Sequence, residues 1–90
     1  MEGLTQMNIP IITIDVHGMR TEQAICIIQK HIQEAGPGVY TIRIIHGYNG
    51  GTKIRMAIRE EFSYGREPKV KRIQMGDNEG ITELVLKELF

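Results

Sequence analysis

The chain has no tryptophan, and its 90 residues include only two phenylalanines and three tyrosines. The core must therefore rest on isoleucine, leucine, valine and methionine. It must also be thin, because a chain of this length buries only about 60–65% of its unfolded surface. One domain fits that length and two do not. A single cysteine, Cys26, excludes an internal disulfide. No apolar run approaches the ~18 residues that a membrane-spanning helix needs. The first residues also lack the basic and apolar segments of a secretory leader. These absences lead us to expect a cytoplasmic protein with no membrane partner. Residues 1–8 (MEGLTQMN), polar and dotted with methionine, are expected to form a loose tail ahead of a domain over residues 9–90.

Excess charge of either sign is missing as well. Eleven Lys and Arg balance eleven Asp and Glu, and zero net charge argues against a dedicated nucleic-acid binder. The distribution is uneven, however. Residues 43–72 carry eight Lys/Arg against three Asp/Glu, and the remainder holds the opposite imbalance. A neutral chain with a basic half can present a basic face, although scattered solubilising charge accounts for the same counts.

What is present has a clear periodicity. IPIITIDVH at 9–17 is rich in β-branched residues and reads as a strand, with Ile12, Ile14 and Val16 on one face and Ile11, Thr13, Asp15 and His17 on the other. Gly18 ends it. Thr21 is the expected N-cap of a helix in which Ile25, Ile28, Ile32 and Ala35 recur at helical spacing. Gly36-Pro37-Gly38 stops that helix. VYTIRII at 39–45 is a second strand closed by His46-Gly47. A YNGG loop then leads to Thr52, a second expected N-cap, and to a helix with Ile54, Ala57, Ile58 and Phe62 on one stripe. Residues 69–75 and 81–86 read as a strand pair joined by the turn-rich GDNEG. The order β-α-β-α-β-β predicts an α/β (α+β) two-layer sandwich: a mixed four-stranded sheet with two helices on one face.

The pattern strand, His-Gly, loop, Thr, helix occurs twice. If the first two strands are parallel, both His-Gly turns lie at the carboxyl edge of the sheet, where open α/β sheets bind ligands. Both turns feed helix N-termini, whose unpaired N–H groups favour anions. Gly18, Gly47, Gly50 and Gly51 allow close backbone approach to a phosphate. Arg20, Arg43, Lys53 and Arg55 are candidate phosphate contacts. Histidine exchanges protons near neutral pH, so His17 and His46 are candidates for an acid–base pair, with Asp15, on His17's strand face, as the orienting group. Period two puts His46 on the core side of its strand with Ile42 and Ile44, so convergence with His17 depends on curling at the strand ends. A divalent metal held by Asp15, His17 and His46 is an alternative with no fixed ligand spacing behind it, and the residues name no cofactor. For a single His-Gly a plain structural turn is the favoured reading, and for the repeated pair the two readings stand about even. His31 and Cys26 read as structural helix residues, Cys26 partly buried. Tyr48 could stack a base, but an ordinary exposed loop residue is the commoner reading.

IDVHGMRTEQA at 14–24 resembles the LDLHG motif that opens the Smr (small MutS-related) domain. RIIHGYNGGTKIR at 43–55 resembles that family's second signature, a strand ending in HGxGxG and running into a helix. NEGITELVLK is similar to the family's last strand, and the likeness covers about residues 9–88. The resemblance implies a two-layer sandwich similar to the C-terminal domain of a bacterial translation initiation factor. It also implies binding of branched or structured DNA or RNA, which several members nick or cleave. Carried onto this chain, it assigns Asp15, His17 and Gly18 to the first signature, and His46, Gly47, Gly51 and Arg55 to the second. Asn49 stands where the family has glycine, Tyr48 where a basic residue is usual, and the loop is one residue longer. The expectation is a nucleic-acid-binding domain of the stand-alone bacterial type, with endonuclease activity left open. The alternative is a non-catalytic module docking on RNA, a ribosome or a protein partner.

Overall fold

A computed structural model describes residues 10–48 and 52–88 of the chain. The expected tail at 1–8, and Gly50 and Gly51 of the second loop, lie outside the described residues. The elements run β1 (Ile11–Asp15), α1 (Thr21–Glu34), β2 (Thr41–Ile45), α2 (Lys53–Phe62), β3 (Arg72–Met75) and β4 (Ile81–Val85). They form one mixed sheet in the order β1-β2-β4-β3. β1 pairs parallel with β2, β2 antiparallel with β4, and β4 antiparallel with β3. The expected architecture is therefore present.

Register converts the alternating pattern into two different faces. Ile12, Ile42, Leu84 and Ile73 align in one row across the four strands, and Ile14, Ile44, Thr82 and Met75 align in the next. Ile14, Ile42, Ile44 and Leu84 from these rows, with Val16 just beyond β1, are buried against Ala24, Ile28 and Ile32 of α1 and Ile58 and Phe62 of α2. Both helices thus cover one face, and aliphatic side chains make up most of the core. The opposite face carries the row Thr13, Arg43, Glu83, Gln74.

Three local expectations are revised. Arg20, not Thr21, is the N-cap of α1, and it makes no side-chain capping bond; Thr21 is already the first helical residue. Thr52 does cap α2, but its hydroxyl contacts the Met56 sulfur instead of a backbone N–H. The third strand begins at Arg72, not residue 69, because the preceding chain folds onto α1. There the buried Glu67 carboxylate accepts hydrogen bonds from Gln29 and Gln33 of α1 and from the Lys69 backbone N–H, at 2.9, 3.1 and 3.1 Å. These three donors, Gln29 foremost, hold the Glu67 carboxyl below its usual value against the opposing effect of burial. Lys69 Nζ in turn donates to the carbonyls of Ile32 and Gln33 at the C-terminal end of α1, where a cation complements the helix dipole.

Candidate phosphate-binding cleft

The first His-Gly segment makes a tight turn. The Met19 N–H donates to the Val16 carbonyl at 3.1 Å, with His17 and Gly18 as the two central residues. Gly18 has φ +79° and His17 has no positive φ, the type II arrangement that calls for glycine at the second central position. Asp15 braces this turn twice. One of its oxygens accepts the His17 backbone N–H at 3.1 Å and meets Nδ1 of the ring at 2.6 Å. The side-chain hydrogen bond from His17 is the largest cause holding the Asp15 carboxyl below its usual value. An ionised carboxylate only accepts, so the bond places a proton on Nδ1 and leaves Nε2 as the basic nitrogen of the neutral ring. His17's side chain is 69% exposed.

The second His-Gly segment has the same sequence and the opposite environment. His46 retains 7% of its exposure. Its Nδ1 lies 2.8 Å from the Gly47 carbonyl and its Nε2 lies 2.8 Å from the Thr82 hydroxyl. A carbonyl can only accept, so Nδ1 carries the proton, and in the neutral ring Nε2 accepts from Thr82. Both nitrogens are thereby engaged inside the protein. The backbone is pinned too: the N–H groups of His46 and Gly47 both donate to the Gly80 carbonyl, at 2.9 and 3.0 Å. In the expected pairing of His17 with His46, the second member is thus a buried ring with both nitrogens bonded within the protein. Parity does put His46 on the core side, and curling at the strand end does not bring its ring out.

The two turns nevertheless touch. Gly47 has φ +76°, and a Cβ there would stand 3.6 Å from the Cβ of His17. Between them opens a cleft of about 1120 Å³, whose walls include Asp15, His17, Gly18, Arg20, His46, Gly47 and Lys53, together with Glu22 and Tyr48. Arg20 and Lys53 are exposed and supply positive charge beside the start of each helix. The first intrahelical bond of α1 runs from Ala24 to Arg20, so the N–H groups of the first turn are open to an anion at the cleft.

Arg43, an expected phosphate contact, does not line this cleft. It sits mid-strand on the sheet face away from the helices, where its guanidinium meets Asp77 at 2.8 Å and Glu83 at 3.6 Å. Arg55, half-buried in the first turn of α2, is not part of the cleft wall. Asp15, His17 and His46 do not converge as a ligand set either. Among the described residues no group of three or more His, Cys, Asp or Glu is placed to hold a metal ion. His31 acts structurally, its Nδ1 lying 2.9 Å from the Ile27 carbonyl one turn earlier. Cys26, expected partly buried, is exposed. Thr82 and Gly80 are the site residues that sequence reasoning missed. Their only signal is register, which places the end of the β3–β4 hairpin beside β2.

The Smr domain family model matches residues 14–83. The chain belongs to the Smr domain family. Smr domains are a nucleic-acid-associated family, and this one also resembles a solved relative. The crystal structure of the Smr domain of Thermus thermophilus MutS2 superimposes with a TM-score of 0.74 at 26% identity, covering 86% of this chain and 99% of that one. No curated protein matches the sequence. Among the described residues no helix of this Smr domain is long and apolar enough to cross a membrane.

Proposed function

We propose that this Smr domain binds a nucleic-acid phosphate, of branched DNA or structured RNA, in the cleft between its two His-Gly turns. In this reading His17 is the proton-transfer residue and Asp15 its orienting partner. The observation that carries it is the Asp15–His17 pair, an exposed imidazole with a fixed tautomer at the mouth of a cleft shared with Arg20, Lys53 and two glycine turns. Arg20, Lys53 and the first-turn N–H groups of α1 hold phosphate oxygens. Nε2 of His17 takes the proton from an attacking hydroxyl or water as its oxygen bonds to phosphorus, and the resulting imidazolium can return that proton to the departing oxygen. His46 has a different part: with Thr82 it holds the Gly47 turn against His17.

A second reading, a binding module without cleavage, draws on the engaged ring of His46, which leaves a single exposed imidazole at the cleft. A ribosome or a protein is then a partner to consider beside free RNA. One experiment separates these readings. Purified protein is incubated with branched DNA and with structured RNA over a range of salt, and both binding and strand cleavage are followed. Cleavage that falls by about 10²–10⁴ in His17→Ala while binding persists supports the catalytic role. Binding without cleavage in the unmodified protein supports the module, and binding insensitive to salt removes the phosphate contacts altogether.

A further inference from the structure

Tyr48 follows directly on Gly47, and its ring is unusually placed for a loop residue. The ring edge lies over Gly80: a Cβ at position 80 would stand 2.9 Å from Cδ2 and 3.2 Å from Cε2. Gly80 has no positive φ; its missing side chain leaves room for the Tyr48 ring and for Asn78 Oδ1, which would stand 3.1 Å from the same Cβ. That same residue accepts the two N–H bonds from His46 and Gly47. The ring edge therefore packs against the residue whose carbonyl holds the second turn. It still remains 55% exposed, and it forms part of the cleft wall with His17, Arg20 and Lys53. A half-exposed aromatic on a rigid backing, beside cations and a phosphate-sized opening, has the components of a base-stacking site.

We infer that Tyr48 is a stacking platform for an unpaired nucleobase held at the cleft. This inference rests on the phosphate-binding reading above and narrows its substrate class. Stacked bases in a continuous duplex have no free face to offer the ring, whereas any extruded base does, whatever its identity. The selectivity is thus for structure over sequence.

The test uses dye-labelled oligothymidylate, an abasic strand of the same length and backbone, and a blunt duplex, with binding followed by fluorescence anisotropy. The unmodified protein is expected to bind oligothymidylate roughly tenfold more tightly than the abasic strand, within the range of base–aromatic stacking. Tyr48→Leu is expected to bind both strands equally, at the abasic level, and Tyr48→Phe to keep the preference. Gly80→Ala, which displaces the ring, is expected to lose it in the same way as Tyr48→Leu. Tyrosine emission gives a second readout, since no tryptophan masks it: a stacked base quenches emission in the unmodified protein and not in Tyr48→Phe. Equal binding of both strands by the unmodified protein, or full preference in Tyr48→Leu, overturns the platform and leaves the phosphate site standing. No binding of either strand overturns both.

Discussion

His17-Gly18 and His46-Gly47 are the same dipeptide at the same edge of one sheet, and the fold uses them in opposite ways. His17 continues the outward parity of Thr13 and Asp15 on β1, so its ring stands in solvent with one nitrogen tied to Asp15. His46 continues the inward parity of Ile42 and Ile44 on β2, so its ring is buried with both nitrogens tied down. The difference comes from one residue of register. A repeated motif thus gives one reactive-type side chain and one structural side chain, and strand parity decides which is which.

The contrast can be broken most directly by measuring His17→Ala and His46→Ala side by side. His17→Ala is expected to reduce any cleavage by about 10²–10⁴ while changing unfolding free energy by less than about 0.5 kcal/mol, as exposed substitutions do. His46→Ala is expected to cost about 2–3 kcal/mol in denaturant unfolding, since it opens a void and strands the Thr82 hydroxyl. Equal losses of stability in the two variants would collapse the distinction. Thr82→Val sharpens it: leaving Nε2 of His46 without a partner should cost about 1–3 kcal/mol, and Thr82→Ser should recover most of that.

Much of this was readable from residue order alone. The β-branched runs, the helical isoleucine spacing and the GDNEG turn specify the elements, and the doubled His-Gly pattern marks the sheet edge. The pattern also put His46 on the core side. What it did not carry were the partners across the sheet. Arg43 reads as a free cation until β4 and the hairpin turn bring Glu83 and Asp77 against it. Glu67 reads as loop charge until α1 places Gln29 and Gln33 over it. Thr82 has no local signature as the residue that partners the buried Nε2 of His46. In each case the determining contact joins segments more than thirty residues apart, and local periodicity contains no information about it.

Smaller effects test the two lowered carboxylates. Both Asp15 and Glu67 titrate below their ordinary values in the folded chain. Each therefore contributes stability that is complete above the unfolded carboxylate range and fades as pH falls through the lowered folded value. Glu67→Gln is expected to flatten the fall of stability below about pH 4.5, measured by denaturant unfolding across pH, because it removes a buried carboxylate with three donors. Asp15→Asn is expected to change that curve less, since its carboxylate is half in solvent. A larger acid-stability change from Asp15→Asn than from Glu67→Gln would overturn this ranking. Arg43→Ala, with its guanidinium 30% exposed, should leave nucleic-acid affinity and its salt dependence unchanged, in contrast to Arg20→Ala and Lys53→Ala.

The strand order carries a timing consequence. β4 lies between β2 and β3 in the sheet yet comes after both in the chain, and it brings Thr82 and, just ahead of it, the Gly80 carbonyl that clamps the second turn. A nascent chain that has reached only α2 can form the parallel pair β1-β2, but it has neither the clamp nor the backing for Tyr48. The clamp on the second turn is thus completed only when β4 inserts between β2 and β3, whereas the first turn is braced by Asp15 from within its own strand end.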